Sequence, residues 1–184
     1  MSKSILAGAA LAFLLMICLC AVAQETVQTG VGDGGSPHVK SDWTIRGAHI
    51  TIEYGRPLLK GRTVGKEVAP YGEPWRTGAD VATIITSDKP LKIGTISLAA
   101  GTTYTINTLP NADGWQLMIG KLGEKGQWGI PYKPELEVGK TPMTVEKRQT
   151  ATEQVTISIV PLPRGATLRI DWGAVSASVP LTVD

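Results

Sequence analysis

The feature that most constrains the fold of this chain is an alternation of polar and apolar side chains with a period of two. In residues 49–54, the apolar Ile50, Ile52 and Tyr54 alternate with His49, Thr51 and Glu53. Successive side chains of a β-strand point to opposite faces of the sheet, whereas a helix requires apolar residues every three to four positions. The alternation therefore predicts a strand with one buried face and one solvated face.

Similar runs, rich in threonine, isoleucine and valine, recur along the chain and are typical of strands. The further predicted strands are residues 81–86, 91–98, 102–109, 115–119, 155–160, 166–172 and 175–183. Turn-forming residues separate several of them, as at 111–114 and 161–165. The sequence thus predicts an all-β fold. An antiparallel β-sandwich, jelly-roll-like, is preferred, and a small barrel is the alternative.

The first 23 residues have the features of a secretory signal peptide. Lys3 precedes an apolar run at residues 5–19, and the small residues Ala21 and Ala23 are those that a signal peptidase requires. This run is shorter than the ~20 residues that span a bilayer, so we expect cleavage after Ala23 rather than a retained anchor. The protein is expected to be exported, to the periplasm or outside the cell.

Cys18 and Cys20 both lie within this predicted signal peptide. Each follows a bulky residue, so we do not expect lipid attachment at either. The mature chain would then contain no cysteine, which excludes disulfides, thiolate metal ligands and a cysteine nucleophile.

The remaining chain divides into a leader and one domain. Residues 24–36 are polar and rich in glycine, which predicts a flexible leader. Residues 37–184 are expected to form a single all-β domain, long enough to bury a core. Loss of Lys3 reduces the basic residues from 18 to 17 against 16 acidic ones, and this near-neutral balance argues against nucleic-acid binding. No membrane span is predicted after cleavage.

Two segments, residues 54–79 and 121–132, interrupt the strand pattern with charged and aromatic side chains. Guanidinium groups suit carboxylate, phosphate or sulfate, and tryptophan faces suit sugars and cations. The candidate ligand-binding residues, for a small anionic or carbohydrate ligand, are Arg56, Arg62, Trp75, Arg76 and Trp128.

The alternative, here called the bracing interpretation, is that the same residues only hold the loop and the ends of the sandwich in place. Trp75 and Trp128 would then fill the ends of the sandwich, since buried tryptophan usually serves packing. Arg56 and Arg76 would hold the long loop by donating to its backbone carbonyls or to Asp80.

These segments also carry a family resemblance. The motifs concerned are YGRP at 54–57, KGR at 60–62, PYG at 70–72, WRTGA at 75–79 and QWG at 127–129. Over roughly residues 36–183 the chain resembles a bacterial exported family, domain of unknown function 2911. It departs from the family pattern at Asp80 and Val81, where asparagine followed by glutamate is usual. The resemblance implies the same fold and export, and it brings no established activity, substrate or cofactor.

Metal and cofactor sites are not predicted. His38 and His49 are the only histidines, and His49 lies four positions from Glu53 on one strand. That separation is about 13 Å, too far for both side chains to reach one ion. The dense ligand cluster typical of metal sites is missing.

No catalytic residue is predicted either, because the chain lacks a Gly-x-Ser-x-Gly elbow and a phosphate-binding glycine loop. The sequence favours a non-catalytic binding module. One alternative is a structural or protein-interaction domain of the cell envelope. The other is a hydrolase with paired carboxylates, for which the candidate residues are Glu53, Glu67, Glu73 and Asp80.

One acidic residue lies in a predicted strand. Alternation places Leu168, Ile170 and Trp172 on one face and Arg169 with Asp171 on the other. We expect a cross-strand ion pair at Asp171.

Overall fold

The computed structural model describes residues 24–123 and 132–184. The predicted signal peptide, residues 1–23, lies outside this part of the chain. Within it the regular structure is almost entirely β, with a single 3₁₀ turn and no α-helix. No helix among the described residues has the length and apolar character needed to cross a membrane.

Twelve strands are formed by the described residues. They are β1 Glu25–Val31, β2 Pro37–Ile45, β3 Ala48–Gly55, β4 Val64–Gly65, β5 Val68–Pro70, β6 Thr83–Ser87, β7 Leu91–Ile93, β8 Ile96–Leu98, β9 Tyr104–Asn111, β10 Gly114–Lys121, β11 Glu137–Pro161 and β12 Ala166–Val183. The 3₁₀ turn, Pro134–Leu136, precedes β11.

Ten of these strands make one antiparallel sheet that folds back on itself as a β-sandwich. Its strand order is β1-β2-β3-β6-β9-β10-β11-β12-β7-β8. The strand β11 is 25 residues long: its beginning pairs with β10 and the remainder pairs with β12, so it connects the two layers. Strands β4 and β5 form a separate parallel pair inside the loop after β3. The predicted all-β, antiparallel fold is confirmed.

The core lies between these layers, as the alternation predicts. Ile50, Ile52 and Tyr54 of β3 are at most 2% exposed. The opposite layer contributes the alternate apolar residues of β11 and β12, and the hydroxyl of Tyr54 accepts a hydrogen bond from the backbone N–H of Ile157 at 3.0 Å. Ordering the layers therefore involves both apolar burial and a specific polar contact.

The main difference from the sequence interpretation lies at the N-terminal end of the described chain. Composition predicts a flexible leader at 24–36, whereas the structure has strand β1, which pairs with β2 from Glu25 opposite Asp42 onward. The side chains of β1 are largely exposed. An edge strand is held by backbone hydrogen bonds on one side, so it needs no buried apolar face, and its composition does not reveal it.

Glycine conformation explains two further differences. Residues 91–98, predicted as one strand, form the hairpin of β7 and β8, with Gly94 in the left-handed region at φ 57°. Residues 166–172 and 175–183, predicted as two strands, form the single strand β12, in which Gly173 has φ 57°. Glycine adopts positive φ without steric cost, so it can either turn a chain or kink a continuous strand.

Candidate functional site

The loop at residues 56–82, here called the arginine loop, is held against β11 by backbone pairing. Leu59 donates its N–H to the carbonyl of Glu153 at 2.8 Å, and Val155 donates to the carbonyl of Pro57 at 3.1 Å. These backbone groups are free for the loop because β11 leaves its register with β12 between Thr152 and Thr156. The arginine loop thus behaves as a short additional strand beside β11.

Arg56, the first candidate residue, is bound to this same part of β11. Its Nε donates to the carbonyl of Val155 at 2.9 Å, and Nη2 donates to the hydroxyl of Thr156 at 3.0 Å. The side-chain amide of Gln154 donates to the carbonyl of Arg56 at 3.0 Å. The half-buried guanidinium therefore stabilises the junction between loop and strand.

Arg62 closes a turn within the loop. Its Nε donates to the carbonyl of Leu59 at 2.9 Å, and Nη2 donates to that of Leu58 at 2.8 Å. In the next turn, the carboxylate of Glu67 accepts a hydrogen bond from the N–H of Thr63 at 2.8 Å. Backbone hydrogen bonding to the charged form lowers the pKa of Glu67.

Arg76 is bound at the far end of the loop. Its Nη1 donates to the carbonyl of Asp80 at 2.7 Å, and the carboxylate of Asp80 lies 3.0 Å from Nε2 of His38 in β2. Asp80 adopts a left-handed backbone conformation at φ 62°. The turn after β1 covers this contact so closely that Gly32 has no room for a Cβ.

Trp75 is anchored by both its backbone and its ring. Its backbone exchanges two hydrogen bonds with Thr108 of β9, and its indole N–H donates to the carbonyl of Gly78 at 3.1 Å. The ring stacks on Trp172 with 5.2 Å between centroids and meets the edge of Trp115 at 6.4 Å. Trp75 therefore packs the loop onto the sandwich core.

Of the contacts that the bracing interpretation expects, Arg76 makes the one to the backbone of Asp80, whereas Arg56 bonds Val155 and Thr156 of β11 instead of carbonyls of the loop. Arg56, Arg62 and Arg76 direct guanidinium N–H groups at protein oxygens, and Trp75 uses its N–H in the same way. The clefts described below are lined by other residues. The fifth candidate, Trp128, lies outside the described residues.

The second segment singled out from the sequence contributes one described aromatic residue. The hydroxyl of Tyr132 donates to the carboxylate of Glu137, and the ammonium of Lys140 lies 5.6 Å from the ring centroid. Burial together with the neighbouring Glu137 raises the pKa of Tyr132 to about 12. This tyrosine caps the start of β11.

A cleft that the sequence interpretation missed lies on the outer face of β11 and β12. Its volume is about 540 Å³. Its charged and hydroxyl-bearing lining residues include Glu146, Lys147, Arg148, Arg169, Ser176 and Ser178. A second cleft of about 420 Å³ lies beside the turns that carry Arg46 and Arg164.

An irregularity in the β11–β12 pairing shapes the larger cleft. Lys147 pairs with Val175, and the next paired residue on β11 is Thr152, opposite Gly173. Residues 148–151 therefore face a single residue of β12 and bulge outward. Such bulges re-aim side chains, and this one carries Arg148 over the outer face of β12.

Asp171 contacts two arginines that line this cleft. Its side chain is 6% exposed, and its Oδ2 lies 2.9 Å from Nη1 of Arg148 and 3.2 Å from Nε of Arg169. The cross-strand ion pair predicted for Asp171 is thus confirmed, with Arg148 as the partner. Two guanidinium groups share one carboxylate, which leaves a local excess of one positive charge.

Several of the histidine and carboxylate side chains considered from the sequence contact other protein groups. No group of three or more histidine, cysteine, aspartate or glutamate residues in the described part of the chain could hold a metal ion. Of the four carboxylates considered for a hydrolase, that of Glu67 accepts a backbone N–H and that of Asp80 contacts His38. His49 lies beside Asp42, at 3.3 Å.

Fold and site together define an all-β antiparallel sandwich with an arginine-braced loop and one strongly polar cleft. The family model described as "Protein of unknown function (DUF2911)" matches residues 36–181, and the chain belongs to this family. No curated protein shows a significant match to the chain, and neither does any solved structure.

Proposed function

We propose that this protein is a non-catalytic binding module for a small anionic or sugar-like ligand, and that its ligand site is the cleft between Arg148 and Arg169. The cleft volume of about 540 Å³ falls in the range typical of small-ligand sites. The single observation that carries the proposal is the convergence there of two guanidinium groups on one buried carboxylate, because such groups are oriented before any ligand arrives.

We further propose that the module acts after export, in the periplasm or outside the cell. The support is the signal-peptide pattern of residues 1–23, with small residues at Ala21 and Ala23. N-terminal sequencing of the protein recovered from an expressing bacterium tests this. A first residue of Gln24 is expected, and recovery with Met1 still present would contradict it.

A thermal-shift screen of the purified protein against anions, mono- and oligosaccharides tests the binding function. At least one compound should raise the melting temperature of the wild type and fail to do so for Arg169→Gln. Arg46→Gln is the matched control, because Arg46 is exposed and lines the other cleft. If no compound stabilises the wild type, the binding function is wrong.

A structural or protein-interaction role in the cell envelope is the second candidate. The observation that favours it is the use of Arg56, Arg62, Trp75 and Arg76 in bracing the arginine loop. In that case alanine substitution of Arg76 should lower stability without altering any ligand response. Retained stability with loss of ligand response would instead assign Arg76 to a binding site.

A further inference from the structure

We propose that the group recognised in the β11–β12 cleft is an oxyanion, either a carboxylate or a phosphate, bound by the guanidinium fork of Arg169. Arg148 provides a second positive charge, and Asp171 acts as a positioning residue. This inference rests on the proposed binding function, and it names the ligand chemistry that the same site selects.

The first argument is that the terminal nitrogens of Arg169 are available to a ligand. Its Nε faces Oδ2 of Asp171 at 3.2 Å, and the side chain remains 41% exposed. Its terminal nitrogens have no hydrogen-bond partner among the described residues. The contact with Asp171 is an ion pair, since Nε itself makes no hydrogen bond in the described structure. The two terminal nitrogens of a guanidinium form a fork that matches a carboxylate or phosphate with two parallel hydrogen bonds.

The second argument is charge. Among the described residues, the lining has the cations Lys147, Arg148 and Arg169 and the carboxylate of Glu146, and the neighbouring Asp171 neutralises one of these cations. One positive charge is left in excess. An anion would restore neutrality, whereas a cation would be repelled by the two guanidinium groups.

The third argument is the absence of an aromatic platform. Among residues 24–123 and 132–184, none that lines this cleft is aromatic. Trp75 and Trp172 stack on each other inside the fold, and Trp43 is 2% exposed. A neutral sugar usually places its apolar face on such a ring, so this cleft is better suited to a charged group. The hydroxyls of Ser176 and Ser178 can bond the polar remainder of the ligand.

Asp171 controls the geometry of the site. Its side chain is almost buried, and it contacts an arginine from each strand, which ties the 148–151 bulge to β12. Asparagine at this position keeps the size of the side chain and removes the charge that holds both guanidinium groups. The fork of Arg169 would then lose its fixed orientation, without any direct contact between Asp171 and the ligand.

The test measures binding by isothermal titration calorimetry with four probes: acetate, inorganic phosphate, gluconate and glucose. Gluconate and at least one of the two simple anions should bind, and glucose should not. The choice between acetate and phosphate distinguishes a carboxylate site from a phosphate site. Arg169→Lys keeps the charge but loses the fork, so it should weaken binding about tenfold or more, whereas Arg46→Gln should bind like the wild type.

The role of Asp171 requires a separate readout. In Asp171→Asn the Nε–Hε signal of Arg169 in a nitrogen-15 spectrum should shift before any probe is added, and Asp171→Glu should restore part of the lost affinity. If binding weakens in Asp171→Asn while the Arg169 signal is unshifted, Asp171 does not act by positioning Arg169.

The possible failures point to different conclusions. Binding of glucose as strong as that of gluconate would overturn the oxyanion inference and leave the proposed binding function intact. Anion binding that Arg169→Lys does not weaken would place recognition elsewhere and also overturn the inference. If none of the four probes binds, while the broader screen finds a neutral ligand, the oxyanion inference alone is wrong. If the screen finds nothing, both fail.

Discussion

The indole of Trp75 stacks on the indole of Trp172 at an interplanar angle of 18°, and this contact anchors the arginine loop to the far strand of the sandwich. Trp75 lies in the loop, Trp172 lies in β12, and Trp115 of β10 meets Trp75 edge-on at 88°. Such aromatic pairs stabilise beyond the area that they bury. The stability of the loop is therefore coupled to that of the core.

Trp75→Ala should lower the free energy of unfolding by about 3 kcal/mol, because it removes a large packed side chain and leaves a cavity. Trp75→Phe keeps a ring beside Trp172 and loses the hydrogen bond to Gly78, so it should cost about 1 kcal/mol. Urea unfolding followed by far-ultraviolet circular dichroism measures both. Equal, small effects would contradict the anchoring role.

The arginines of the loop should differ in their contribution to stability. Arg56→Ala removes hydrogen bonds to Val155 and Thr156 at a half-buried junction and should cost about 2 kcal/mol. Arg62→Ala, the matched variant, removes hydrogen bonds in an exposed turn, where water replaces them, and should cost less than about 1 kcal/mol. Chemical denaturation of the two variants tests the order, and a larger loss for Arg62→Ala would refute it.

Hydrogen exchange gives a local check on the same junction. The amide of Leu59, which bonds Glu153, should exchange faster in Arg56→Ala, while amides in β9 keep their protection. Uniform loss of protection would indicate global destabilisation instead.

The ion pair between Arg148 and Asp171 should show a measurable coupling energy. Asp171 is 6% exposed, but Arg148 is 30% exposed, so solvent screens part of the interaction. A double-mutant cycle with Arg148→Ala and Asp171→Ala should give about 1 kcal/mol. Because Arg169 also contacts Asp171, the single variant at Asp171 should be the more destabilising. A coupling energy near zero would contradict the contact.

Tyr54 should make stability depend on alkaline pH. Burial raises the pKa of its hydroxyl above the ordinary value of 10.0. Above about pH 10 the unfolded chain therefore releases this proton while the folded chain retains it, so stability is fully present below pH 10 and falls as pH rises. The measurement is the free energy of unfolding from neutral pH to above pH 10.

Tyr54→Phe provides the comparison. It leaves the N–H of Ile157 without its acceptor and should cost about 1–3 kcal/mol at neutral pH. This deficit should shrink above pH 10, because the variant has no hydroxyl to titrate at this position. Tyr71→Phe, at an exposed tyrosine, should follow the wild type throughout. A deficit for Tyr54→Phe that is constant with pH would refute the linkage.

The local sequence pattern was sufficient to predict many of the strands that form the core, but it did not predict the edge strand β1. The alternation of Ile50, Ile52 and Tyr54 identified β3 and its buried face correctly, because that signal is contained in the strand itself. Strand β2 was missed although its buried side chains alternate with more exposed ones. Also missed were β1 and residues 137–154 of β11, whose side chains are mostly exposed and polar. Such strands depend on backbone pairing with a neighbour, which leaves little mark on composition.

The candidate site likewise was predicted in part from the sequence and in part was not. Asp171 was recognised as an outward-facing acid that needs a partner, because alternation with Ile170 and Trp172 sets its direction. Its partner Arg148 was not found, since it lies in a bulge whose position depends on the register of β11 against β12. An outward-facing Asp171 next to Arg169 was the only local signal that pointed to this face.

The sequence alone determined the all-β class and the buried faces of several strands, because these depend on neighbouring residues. It also determined the family, through short motifs between residues 54 and 129. Only the tertiary structure decided what the arginines do. The donors of Arg56 reach Val155, which lies 99 positions along the chain, and Arg148 meets Asp171 only where β11 bulges. A guanidinium group bonds whichever oxygen folding brings within reach, and no local pattern encodes that partner.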